Sequence, residues 1–199
     1  MMLTKTEAVW RHLLVAALDE GSRRTSISNI AEQLGITPTT IHRALERPRE
    51  IGAVRGGRPG LRVLDPKRLL LLWAGRRDLA KDIVYQTHVS GPMDWIESGL
   101  TVTAIPTAYT AFVSRAGRNT VADYDQVVVY ADAAEVQLRF PPRRGPANLI
   151  VLEPDPWLAR YGRMASLPQM YVDLFNLPTW QAQRFLDRLN REVMLGYVA

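Results

Sequence analysis

Apolar residues recur with a helical period near the start of the chain, where Trp10, Leu13, Leu14, Ala17 and Leu18 form one stripe that Gly21 ends. Thr4 and Glu7 precede it at capping-box spacing, so an amphipathic first helix is predicted. Ser28 is placed to cap a second helix carrying Ile30, Ala31 and Leu34, and Gly35 offers the left-handed residue that closes it. Thr37 followed by Pro38 opens a third, with Ile41, Ala44 and Leu45 as its buried stripe and Pro48 as its expected end. Beyond Ile51 and Gly52, Ala53-Val54-Arg55 leads into Gly56-Gly57-Arg58-Pro59-Gly60 and out through Leu61-Arg62-Val63, the pattern of a two-stranded hairpin. Asp65-Pro66 opens a helix with Leu69, Leu70, Leu72 and Trp73, before Gly75-Arg76-Arg77 reads as a linker.

Ala31, Gly35 and Ile41 have the spacing of a helix-turn-helix: a small residue where helices cross, a glycine in the turn, a branched anchor in the next helix. With the hairpin as wing, residues 1–77 are predicted to be a winged helix-turn-helix domain. Residues 78–199 read as a mixed α/β domain. Its predicted strands are 83–88, 126–131 and 149–152, and Ala134, Val136, Leu138 and Phe140 alternate with polar residues in the period of a strand with one wet face. Helices are predicted after Gly91-Pro92, over 102–115 with a break at Pro106, from Ser166 through Phe175, and after Pro178. The predicted class is therefore α+β.

Charge sharpens this picture. Lys and Arg outnumber Asp and Glu by 14 to 8 in residues 1–80 and by 10 to 3 within 43–77, whereas 11 face 12 in 81–199. The positive field belongs to the first part, where a polyanion would meet it; a plain solvated basic surface is the bland alternative. The chain has no cysteine, which excludes disulfides, thiolate zinc sites and cysteine nucleophiles. Its longest apolar run, Leu69 to Ala74, is far below the roughly 20 residues of a membrane span, and no signal-peptide pattern is present, so a cytoplasmic location without membrane partners is expected.

With the third helix in a major groove, Thr39, Thr40, His42 and Arg43 face outward and Arg47 follows one turn later. Arg43 suits a guanine edge, the hydroxyls of Thr39 and Thr40 suit phosphates, and Arg55, Arg58 and Arg62 on the wing suit the flanking backbone of double-stranded operator DNA. The glycine-rich segment is not read as a nucleotide loop, since no Lys-Ser or Lys-Thr follows it and no helix start adjoins it. His12, His42 and His88 have neither metal-ligand spacing nor a neighbouring serine constellation. Asp123 and Asp125 before the strand at 126–131 could hold a magnesium ion for phosphoryl transfer, with Lys81, Arg115 or Arg118 meeting the phosphates of ATP; an ordinary polar turn explains the same aspartates.

The combination of a winged helix, Leu72-Trp73, a strand, Trp95 with Gly99, a mixed sheet, Leu149-Ile150-Val151-Leu152-Glu153-Pro154, Tyr161-Gly162, and Leu167 through Tyr171-Val172-Asp173-Leu174 resembles the AbiEi family, nearest its mycobacterium-like members. The resemblance covers almost the whole chain, rests on the order of elements, and meets a departure at Pro48. It implies the antitoxin and transcriptional regulator of a type IV toxin-antitoxin system: a nucleotidyltransferase-type toxin as partner, repression at the operon's own promoter, and neutralisation through the second domain. Two alternatives stay open: a phosphotransferase that uses ATP and magnesium at Lys81, Asp123 and Asp125 to phosphorylate the toxin, and a plain regulator without a toxin partner. A homodimer on paired half-sites about 34 Å apart is a further expectation, with the helix at 179–192 as a candidate surface.

Overall fold

At the first helix, α1 (Lys5–Leu18), the Thr4 hydroxyl accepts the Glu7 amide at 3.3 Å while the Glu7 carboxylate accepts the Thr4 amide at 3.0 Å. This reciprocal cap satisfies two backbone donors and starts the helix where the sequence places it. A computed structural model of the chain describes residues 3–57, 60–117 and 121–195. It is a mixed α and β structure with two small sheets, and none of its described helices is long and apolar enough to cross a membrane.

The chain divides into two compact units. The first comprises Leu3–Arg77, Ser166–Val172 and Asn190–Leu195; the second comprises Asp78–Ala165 and Asp173–Leu189. In the first unit α1 leads to a two-residue strand β1 (Arg24–Thr25), then α2 (Ile27–Leu34), α3 (Pro38–Ala44), α4 (Glu46–Glu50), the hairpin β2 (Val54–Gly57) and β3 (Gly60–Val63), and α5 (Pro66–Arg76). β3 is the central strand of an antiparallel sheet in the order β1, β3, β2. Trp10, Leu13 and Leu14 of α1, Ile30, Ile41, Leu45, Leu69 and Trp73 are buried.

Two expectations change here. Ser26, not Ser28, caps α2, because its side chain accepts the Asn29 amide at 3.1 Å. Pro48 does not end the third helix. That helix already stops at Ala44, with Leu45 as its cap, and Pro48 is the third residue of the separate α4, where it has no intrahelical bond to lose.

The second unit is built on a four-stranded sheet in the order β4 (Ile83–Thr87), β7 (Leu149–Leu152), β6 (Val127–Tyr130), β5 (Ile105–Pro106). β6 and β7 run parallel and the outer pairings are antiparallel. Every residue of β6 and β7 is buried, as expected of strands covered on both faces. One face packs Val127, Val129, Leu149 and Val151 against Ile96 of α6 (Met93–Ser98) and against Val136 and Phe140. On the other face Tyr130 donates to the fully buried carboxylate of Asp173 at 2.8 and 2.9 Å, and Thr107 donates to it at 2.7 Å.

The segment expected to be an alternating strand is instead a helix, α8 (Ala133–Arg139). Parallel pairing of β6 with β7 requires a crossover, which a strand in the same sheet cannot supply. Asp132 nucleates it by accepting the amides of Ala134 at 2.7 Å and Glu135 at 3.3 Å. Residues 102–115 resolve into β5 and α7 (Ala108–Arg115), with Pro106 on an edge strand, where its missing amide leaves no ladder bond unmade. α9 (Leu167–Phe175) and α10 (Trp180–Leu195) close the chain.

Candidate nucleic-acid interface

The turn between α2 and α3 is set by Gly35, whose φ of 64° lies in the left-handed region and whose amide donates to Ala31 at 2.9 Å. Thr37 then caps α3 and Pro38 occupies its first position. Ile41 and Ala44 turn inward, and the indole N–H of Trp10 donates to the Ala44 carbonyl at 2.7 Å, which ties the end of α3 to the core of the first unit. Thr39, His42 and Arg43 are exposed on the opposite side of this seven-residue helix. Thr40 is half-buried, and its hydroxyl lies 3.0 Å from that of Thr37, so it belongs to the cap. Arg47 sits on α4 rather than on α3 and pairs with Glu50 at 2.9 Å.

The hairpin places its arginines by strand register. Arg62 on β3 lies directly across from Arg55 on β2 and from Arg24 on β1, so three exposed guanidinium groups stand in one row across the sheet. Val54, Val63 and Leu61 point to the opposite, buried face. Among the described residues no carboxylate pairs with Arg24, Arg43, Arg55 or Arg62. Arg58 lies outside the described residues.

On the inner side of the hairpin, between it and the helices, is a cleft of about 560 Å³ lined by Ser26, Ile27, Ser28, His42, Arg49 and Gly56, closed by Gly60 and Leu61. Arg24 and Arg49 were not among the expected candidates. A two-residue strand leaves no period to read around Arg24, and Arg49 follows a proline expected to end the helix; the only signal for Arg49 was membership in the basic stretch 43–77.

The second unit's expected phosphoryl-transfer residues lie on separate elements. Lys81 lies in a 3-10 turn (Leu79–Asp82) and pairs with Asp78 at 2.9 Å. Asp123 and Asp125 are exposed in the segment leading to β6, and among the described residues no three His, Asp or Glu side chains gather where a metal ion could sit. Between them Tyr124 turns inward, stacks on Tyr109 with ring centroids 5.4 Å apart, and donates to Glu97 at 2.9 Å. Burial pushes the Tyr124 phenol well above its ordinary range, and the hydrogen bond to Glu97 and the charges of Glu97 and Asp94 push in the same direction. The segment thus has a packing role through its tyrosine. Arg115 is exposed on α7, and Arg118 lies outside the described residues.

No protein-family model matches the chain, and neither a curated protein nor a solved structure does.

Proposed function

We propose that residues 3–77 act as a winged helix-turn-helix that binds double-stranded DNA, and that the chain is the autoregulatory antitoxin of a type IV system whose toxin is a nucleotidyltransferase. The observation that carries DNA binding is the row Arg24, Arg62, Arg55. Like charges directly opposite each other on neighbouring strands oppose folding, and here none has a carboxylate partner among the described residues. A polyanion relieves that repulsion. Cross-strand side chains start about 5 Å apart, a spacing that lets them reach successive phosphates of one strand. Arg43, His42 and Thr39, exposed on a capped helix anchored by Trp10, supply groups for base edges. The toxin partner is supported by the resemblance of the chain's element order to AbiEi antitoxins.

Binding to DNA from the gene's own upstream region, measured across a salt series, tests the first part. Arg62→Gln is expected to weaken all duplexes alike and flatten the salt slope by about one unit, as loss of one phosphate contact does. Arg43→Ala is expected to cost about 1–3 kcal/mol on the cognate site and much less on unrelated DNA. Absence of site-specific binding at moderate salt would refute the regulator. Co-expression with a nucleotidyltransferase encoded beside the gene tests the second part: failure to restore growth removes the antitoxin role and leaves the regulator standing.

A further inference from the structure

We infer that the 560 Å³ cleft on the inner side of the hairpin seats a backbone phosphate of bound nucleic acid, with Arg49 as its anchor. This rests on the DNA-binding reading and adds a contact on the face of the hairpin opposite the arginine row.

The register separates the two faces. Arg55 and Arg62 project to one side of the hairpin, whereas Gly56 and Leu61, one residue along each strand, belong to the other, where the cleft lies. The hairpin therefore carries its own cations on one face, while the cation beside the cleft, Arg49, comes from α4.

Within the cleft the groups are electropositive or neutral. Arg49 is half-buried on α4, and His42 of α3 lines the same space; among the described residues no carboxylate contributes to the lining. Among the described residues, no carboxylate pairs with Arg49. Ile27 and Ser28, the first two residues of the eight-residue α2, also line the cleft. A guanidinium fork can grip a phosphate through two oxygens, and among the described residues lining this cleft Arg49 supplies it.

Gly56 is the hairpin residue against which this arginine lies. Its φ does not fall in the left-handed region, so the backbone does not require glycine there. A Cβ at this position would stand 3.3 Å from Nη2 of Arg49, a few tenths of an ångström too close, and 3.5 Å from its Nε, an ordinary contact. Glycine inside a strand weakens it. Here its absence of side chain leaves room for the guanidinium of Arg49, which lines the cleft.

The test uses the full chain and a mixed-sequence DNA duplex, since backbone contacts need no particular site. Wild type is compared with Arg49→Gln, Arg49→Lys and Gly56→Ala across a salt series, with Arg62→Gln as the reference for the outer row and thermal melts confirming that each variant is folded. Arg49→Gln is expected to flatten the slope by about one unit. Arg49→Lys retains the slope because it retains the charge, a rescue that a purely structural role would not produce. Gly56→Ala weakens binding with no charge removed. If Arg62→Gln flattens the slope and Arg49→Gln does not, the cleft inference is overturned while DNA binding stands; if the wild type does not bind the duplex, both fall. A titration with inorganic phosphate, followed at the Arg49 Nε–H resonance, distinguishes the sources. Perturbation by free phosphate that duplex DNA does not compete away would make the cleft a small-anion site and overturn the assignment to the backbone.

Discussion

Arg62 is flanked across the sheet by Arg24 on one side and Arg55 on the other, so its effects on folding and on binding oppose each other. Removing its charge relieves two repulsions, each worth about 0.2–1 kcal/mol. Arg62→Gln is therefore expected to raise the melting temperature at low salt, an effect that fades as ionic strength shortens the reach of the charges, while the same variant binds DNA more weakly. An unchanged or lowered melting temperature at low salt would show that the row is not under electrostatic strain. Tyrosines give the second expectation at this scale. Burial raises the phenols of Tyr109, Tyr124 and Tyr171 above their ordinary value. The unfolded chain then loses its phenolic protons first. The stability these groups contribute is complete below about pH 10 and is lost as pH rises from there through their higher folded values. Urea melts at stepped alkaline pH, with Tyr124→Phe as comparison, check this: the variant is expected to show a shallower alkaline loss than wild type.

At the scale of elements, α8 is the instructive case. As a strand, residues 134–140 would bury Ala134, Val136, Leu138 and Phe140 together. As a helix they bury only Val136 and Phe140, four residues apart, and leave Leu138 with 89% of its surface exposed. The two readings make different demands on mutants. Val136→Ala is expected to cost about 2 kcal/mol, because it removes two methyl groups from a closed core, and Leu138→Gln less than about 0.5 kcal/mol, as an exposed substitution does. Equal costs in chemical denaturation would contradict the helix. The alternation was present in the sequence, but seven residues of it match either period. The tie was broken by good helix formers, an aspartate cap and, above all, the parallel pairing of β6 with β7. The first unit was more legible because its helices carry their punctuation locally: Thr4 with Glu7, Gly35, and Thr37 before Pro38 each act within a few residues of themselves.

For the whole molecule, the sequence suggested a cut after residue 77, and the first unit does end its opening segment at Arg77. It also recruits Ser166–Val172 and Asn190–Leu195. Arg11 is wholly buried in α1, and Gln169 accepts a hydrogen bond from its guanidinium at 3.0 Å; Leu167 donates its amide to Asp19 at 3.1 Å. A fragment of residues 1–77 keeps the buried arginine and loses this partner. Leaving a buried polar group without its partner costs about 1–3 kcal/mol, more when it is charged, a large share of a small domain's stability. The fragment is expected to melt well below the full chain or not to fold, and Gln169→Ala in the full chain to lose about 1–3 kcal/mol; circular dichroism melts measure both. A fragment as stable as the intact chain would show that the late segment is dispensable to the first unit.

By itself the sequence determined what depends on neighbours along the chain: the caps and stripes of the early helices, the hairpin, the apolar strands later called β6 and β7, and the concentration of positive charge in the first part. It did not contain, in any short window, the facts that depend on which distant segments meet. β1 and β5 are two residues each and exist only through their pairing with β3 and β6. The alignment of Arg24 with Arg62 and Arg55 is a matter of register between segments far apart in the chain. Arg49 lines a cleft because α2, α3, α4 and the hairpin meet around it. Helix period and capping are short-range physics, read from spacing alone; register, burial and the enclosure of a cleft are set by long-range packing, and only the tertiary structure decides them.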